Sequence, residues 1–164
     1  MANNFNKIFT KVMQQVGNQL VKVMRENLKQ VVGRSSGTLS ASIQSKVVDT
    51  PQGPAVEISM LPYGPVLDAG RGPSRNGNKK VQAWRGKIVA WQDIKGIAPR
   101  QGMTPETLAF LITRKINRKG YPAKPFIQKS FDQVVNQDLP GIFNTALDQA
   151  ANNTFVNDIK ITLK

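Results

Sequence analysis

NFNKIFTKVMQQVGNQLVKVMRENLKQVV, residues Asn4–Val32, opens the chain with an element long enough to organise the rest. Phe5, Ile8, Phe9, Val12, Met13, Val16, Leu20, Val23, Met24 and Val31 recur by threes and fours. That spacing predicts an amphipathic helix with one apolar face. Lys7, Lys11, Lys22, Arg25 and Lys29 fall within roughly 60° of one another on the opposite face at 100° per residue. Such a row is either an ordinary solvated face or a basic stripe that touches an anionic partner.

Gly33-Arg34-Ser35-Ser36-Gly37 ends this helix, supplying a C-cap glycine and a joint. Thr38–Ile43 reads as a helical turn or as the start of a strand. Gln44–Val48 and Ala55–Leu61 read as two strands. In the second, Val56, Ile58 and Met60 alternate with Glu57 and Ser59, the pattern of a half-buried strand. Asp49–Pro54 is expected as a connecting loop longer than a two-residue turn. Pro62-Tyr63-Gly64-Pro65 is expected to break the second strand, with one turn over Val66–Gly70 and then a loop, Arg71–Lys80.

A helix over Lys80–Ile94 follows. Val81, Trp84, Ile88 and Trp91 form one face, and Ala83, Gly86 and Ala90 form the other. Neither side carries a bulky polar group. This predicts packing on both sides, the small side against a neighbouring element or subunit; a half-exposed helix with some alanines is the alternative. Thr104-Pro105-Glu106 opens the next helix with an N-cap, a first-position proline and an acid in the first turn. Its expected buried stripe is Leu108, Leu111, Ile112 and Ile116. Tyr121–Pro125 holds two prolines and reads as extended. A helix over Phe126–Asn136, with Phe131, Val134 and Val135 as its apolar side, is expected to be interrupted at Leu139-Pro140-Gly141 and to resume over Ile142–Ala151. Ile159–Leu163 alternates and reads as a last strand. The expected class is therefore α+β. It comprises a long N-terminal helix, a small antiparallel sheet with a hairpin, three or more further helices and a C-terminal strand. A single domain is expected over 1–152, with 153–164 as an extension.

Charge is unevenly spread along the 164 residues. Between Arg71 and Lys129 stand fourteen Lys and Arg against only Asp93 and Glu106, a surplus of +12 out of +13 for the whole chain. A compact domain repels itself with that charge unless an anionic partner is near, such as nucleic acid, an acidic protein surface or a membrane. Part of the surplus has a structural use: Arg114, Lys115, Arg118 and Lys119 sit where a helix end favours cations.

Composition also narrows the function. No cysteine and no histidine are present, which removes thiolate chemistry, Cys-based zinc sites and the commonest neutral-pH proton carrier. The ten acids are scattered, and no GxxxxGK[ST] or GxGxxG occurs. The chain is read as not an enzyme, without cofactor or metal, although a Ser–Lys or carboxylate-only mechanism stays open. No apolar run approaches a membrane span, and MANNFNKIF lacks the apolar core of a signal peptide.

Four segments, in order and spacing, carry a resemblance. They are Ser36–Ile43 after the long helix, Tyr63–Gly70, Ile112–Gly120, and Pro122–Ile127. Together they resemble the HK97 gp10-like family of tailed-phage proteins, also called tail-component, tail-completion or virion-morphogenesis proteins. There a TGxLxxSI-like segment follows the first helix, a tyrosine-led segment ends in a small residue and glycine, and an RPF-like turn opens the last helix. Here that acid-then-glycine ending carries an extra Ala69, and Lys124 stands in place of the turn's arginine.

The resemblance implies a structural protein of the head–tail junction, a neck, tail-completion or tail-terminator subunit in the virion, assembled in the host cytoplasm. It implies a homo-oligomeric ring, commonly hexameric, meeting neighbouring neck or tail proteins and, without sequence preference, virion DNA; no membrane is involved. The residues expected to meet partner or DNA are Arg71, Arg75, Lys79, Lys80, Arg85 and Lys87. Tyr63, Gly70, Pro125 and Phe126 are expected as structural anchors, and Ala83, Gly86 and Ala90 as a subunit interface. The competing reading is a non-specific nucleic-acid-binding protein using the same cations with Trp84, Trp91 and Tyr121.

Overall fold

The apolar face of the first helix governs what packs around it. The computed structural model describes the backbone of residues 2–51, 53–74 and 81–149 and the side chains of residues 8–51, 53–74 and 86–149. Helix α1 runs Ala2–Val32 without interruption. Val12, Leu20, Val23, Met24 and Leu28 are buried along it, while Lys11, Lys22, Arg25 and Lys29 are exposed, as the periodicity requires. The remaining described elements are α2 (Thr38–Ser42), β1 (Gln44–Thr50), β2 (Gly53–Ser59), α3 (Tyr63–Ala69), α4 (Val81–Lys95), α5 (Pro105–Lys119) and α6 (Ile127–Gln133). The protein is α+β, with one two-stranded antiparallel sheet among the described residues. The expected strand at Ile159–Leu163 and the extension 153–164 lie outside the described residues.

Backbone contacts divide the chain into two compact units. The first holds Met1–Asn27, Ser42–Met60 and the chain from Ile127; the second holds Leu28–Ala41 and Leu61–Phe126. In the first unit the hairpin lies on α1. Val47 pairs with Val56, Ser45 with Ile58 and Lys46 with Glu57. Val47, Val56 and Ile58 are half-buried while Lys46 and Glu57 are exposed, so the exposed face carries a cross-strand pair of opposite charge. Gly17 makes the close approach possible. A Cβ there would lie 3.0 Å from Ser45 Oγ and 3.2 Å from a Val56 methyl carbon. Asn27 and Ser130 are both buried, and Asn27 Nδ2 donates to Ser130 Oγ over 2.9 Å.

Several expectations change here. The connection Asp49–Pro54 is not a long loop: the strands extend to Thr50 and from Gly53, leaving two residues between them. Thr50 Oγ1 donates to the Gly53 carbonyl over 2.6 Å, and Gly53 has φ 115°, a conformation open to glycine. Thr38–Ser42 resolves as helix, and β2 stops at Ser59 rather than Leu61. The strand does end before Pro62-Tyr63-Gly64-Pro65, as expected, but the helical turn that follows begins at Tyr63 rather than Val66, with Pro65 in the first turn of α3, where a proline lacks no needed donor.

Leu139-Pro140-Gly141 does not interrupt the last helix either. A five-residue π turn over Val134–Asp138 follows α6, with Leu139 N–H reaching the Val134 carbonyl, and helix continues over 139–149. The wider turn is one way a helix absorbs the hydrogen bond that Pro140 cannot make.

In the second unit, α4 and α5 pack together. Thr104 caps α5, its Oγ1 accepting from Thr107 N–H at 3.2 Å, with Pro105 at the first helical position. The last turn of α1 ends at Gly33, whose φ of 64° is the left-handed C-cap. Two lysines hold its free carbonyls: Lys124 Nζ donates to Val31 O over 2.6 Å, and Lys95 Nζ donates to Val32 O. Cations at a helix C-terminus are favoured by the macrodipole.

Candidate interaction surface

The basic third of the chain is organised around one backbone joint. Arg71 and Tyr121 form an isolated antiparallel bridge, Arg71 N–H to Tyr121 O at 3.0 Å and Tyr121 N–H to Arg71 O at 2.9 Å. Gly70 and Gly120 flank it, each with φ 73°. A Cβ on Gly70 would meet the Ala123 backbone, and one on Gly120 would collide with Arg71 O. Only glycine fits at either position. Lys124 N–H then takes up the Leu67 and Asp68 carbonyls at the end of α3, at 3.1 and 3.0 Å. Phe126 N–H closes back on Lys124 O over 2.8 Å, a three-residue turn centred on Pro125.

The expected anchors divide by environment. Phe126 is fully buried and Gly70 is fixed by the bridge, whereas Pro125 is exposed and Tyr63 has half its surface accessible. The buried residue beside Tyr63 is Gly64. Of the expected partner-contact residues, Arg71 is half-buried and Lys87 is exposed. Arg75, Lys79 and Lys80 lie outside the described residues, as do the side chains of Ala83, Trp84 and Arg85.

Of the expected apolar face of α4 the side chains described are Ile88, half-buried, and Trp91, exposed. Gln92 is almost fully buried, its Nε2 lying 3.4 Å from Pro105 O, while Trp91 points outward. Gly86 and Ala90 are also exposed, and nothing lies within 4 Å of a Cβ built on Gly86. Among the described residues nothing therefore covers Gly86 on the small side of α4. Lys87, Trp91 and Ile94, at i, i+4 and i+7, share one exposed face.

On α5 the expected stripe is rotated. Ala109 and Thr113 are the buried positions, the Thr113 hydroxyl donating to Ala109 O over 2.7 Å. Leu111 is exposed and lines up with exposed Arg114, Lys115 and Arg118 at i, i+3, i+4 and i+7. Both helices thus present large apolar side chains with cations beside them. Neither Trp91 nor Leu111 was separable from core by sequence, because hydrophobicity does not say which side of a helix another element covers. A signal existed for the cations, since i, i+3, i+4, i+7 spacing of Leu111 with three bases is legible in the sequence.

The first unit also bears cations. Lys22 and Arg25 line an open cleft between α1 and β1, with Asn18, Glu26 and Gln44, and Arg25 Nη2 donates to Ile43 O over 2.8 Å. Among the described residues no helix is long and apolar enough to cross a membrane. Comparisons with protein-family models, with curated proteins and with solved structures each found no match.

Proposed function

We propose that this chain is a structural subunit of a tailed-phage virion, acting at the head–tail junction as a member of a ring that joins head to tail. The observation that carries it is the resemblance of four segments, in order and spacing, to the HK97 gp10-like family. Those segments fall on α2, on α3 with Gly70, on α5 with Gly120, and on the Lys124-Pro125-Phe126 turn. Large apolar side chains exposed among the described residues, such as Val135 and Leu147, support the same reading, because a subunit that completes its burial by association exposes such residues beforehand. The ring acts through contacts and performs no chemistry. It needs no cofactor, its neighbours are other neck or tail proteins, and it is assembled in the host cytoplasm into the virion.

The test is assembly. Replacing Arg71, Arg75, Lys79 and Lys80 by glutamine is expected to block joining of heads to tails while the circular dichroism of the purified subunit stays unchanged. Electron microscopy of the wild-type protein should show closed rings. Normal head–tail joining by the quadruple variant removes the basic loop from the account, and a wild-type protein that forms no ring removes the account itself.

One observation favours the second reading, a non-specific nucleic-acid-binding protein: Arg114, Lys115, Arg118 and Lys119 stand exposed together near the end of α5. That reading predicts DNA affinity of a lone subunit that falls steeply with salt.

A further inference from the structure

The hairpin of the first unit has an open edge. Among the described residues its sheet holds two strands only. Pro54 stands opposite Asp49 and has no N–H, so that pair cannot exchange two backbone bonds. The bonded pairs are therefore Thr50–Gly53, Val48–Ala55 and Lys46–Glu57. Val56 and Ile58, which alternate with them, turn N–H and C=O outward along β2. Among the described residues no backbone hydrogen bond beyond the hairpin involves either. Such an edge is a template for another strand, and two strands alone make a marginal sheet.

Both strands have an outer edge, but the ground beneath them differs. Beside β1 the open cleft holds the polar Asn18, Lys22, Arg25 and Glu26 of α1. Val56 of β2 sits over Gly17, and at 100° per residue Met13 and Val16 lie on the other side of Gly17 from Asn18 and Arg25. Met13 and Val16 are half-buried, so apolar surface remains beside β2.

We infer that Ile159–Leu163 of the same chain adds to the outer edge of β2 as a third, antiparallel strand. Its sequence, Ile-Lys-Ile-Thr-Leu, has the alternation that this edge needs. With Ile161 opposite Val56, Ile159 stands opposite Ile58, Lys160 opposite Glu57 and Thr162 opposite Ala55. The apolar residues then join the side that α1 covers. Lys160 meets exposed Glu57 on the outer face, where Glu57 already has Lys46 across from it in β1. A slip of one residue would turn every apolar side chain of the segment to solvent. Reach permits the pairing. The helix that ends at residue 149 belongs to the same unit as the hairpin. Its Thr145 lines a cleft with Gln15 and Asn18, the stretch of α1 on which the hairpin rests at Gly17. Residues 150–158 span up to about 30 Å, against a helix about 10–12 Å across. The inference goes beyond the ring reading and does not depend on it. It gives the C-terminal segment the task of closing an edge that another chain would otherwise pair with.

The chain has no cysteine, so an introduced disulfide reads the register directly. In the full chain carrying Glu57→Cys and Lys160→Cys, mild oxidation is expected to close an intramolecular disulfide, because directly opposed Cβ atoms stand about 4.5–5.5 Å apart. Glu57→Cys with Thr162→Cys is a diagonal pair, expected to close on the order of tenfold more slowly. Non-reducing electrophoresis and mass spectrometry read both. If circular dichroism shows the first pair altered, Ala55→Cys with Thr162→Cys takes its place. Equal closure by the opposed and diagonal pairs overturns the inference, and so does no closure. Crosslinked dimers in place of monomers overturn it in favour of strand exchange between copies. Amide hydrogen exchange of the full chain gives a second readout. Ile161→Asp is expected to speed exchange at Val56 and Ile58 on the order of tenfold or more, with the amides of α5 unchanged. Exchange at Val56 and Ile58 that ignores Ile161→Asp overturns the inference.

Discussion

Asn27 and Ser130 are the residues on which single-atom chemistry matters most. Asn27 continues the buried side of α1, where an apolar residue would be the ordinary choice, and its Nδ2 donates to Ser130 Oγ at 2.9 Å. Removing one member leaves a buried polar group with a partner missing, which costs about 1–3 kcal/mol. Asn27→Ala and Ser130→Ala are each expected to destabilise the protein by that amount in denaturant unfolding. The double variant should cost clearly less than their sum. Additive losses would show that the two side chains do not depend on each other. Sequence pattern did not reveal this pair, because an asparagine at a core position is legible only through a partner 103 positions away.

At the scale of elements, α1 and the hairpin meet at Gly17. A Cβ there is already tight against Ser45 and Val56. For Gly17→Ala, the gain in helix propensity of about 1 kcal/mol opposes that compression, so the net change should be small. For Gly17→Leu no such balance exists, and overpacking is expected to cost about 1–3 kcal/mol, read as a lower denaturant midpoint. Wild-type stability of Gly17→Leu would mean that the hairpin does not press on the helix at that point. The elements themselves were largely legible. The periodicity of α1, the Thr104-Pro105-Glu106 start of α5 and the alternation in β2 all correspond to observed structure. Among the misjudged places are some that hold a proline. Pro65 sits in a first helical turn, and Pro140 follows a π turn that absorbs its missing donor, so neither ends a helix.

For the whole molecule the weight falls on uncovered apolar surface. Trp91, Ile94, Leu111, Phe131, Val135, Phe143 and Leu147 are all exposed in a chain of modest apolar content, 40%. If association covers them, folding and assembly are linked, and the apparent stability depends on protein concentration. The melting temperature is expected to rise by a few degrees for a tenfold increase in concentration. A melting temperature independent of concentration would mark a folding unit complete in one copy.

Read alone, the chain determined its α+β class, its long first helix, the Thr104 cap and the concentration of positive charge between Arg71 and Lys129. Each of these depends on residues near one another in sequence, where backbone geometry and periodicity suffice. Which side of α4, α5 and the last helix is covered was decided only by tertiary packing. So were the opposed glycines at the Arg71–Tyr121 bridge and the two lysines that hold the end of α1. Those outcomes depend on what arrives from distant parts of the chain, and a hydrophobic pattern carries no record of its partner.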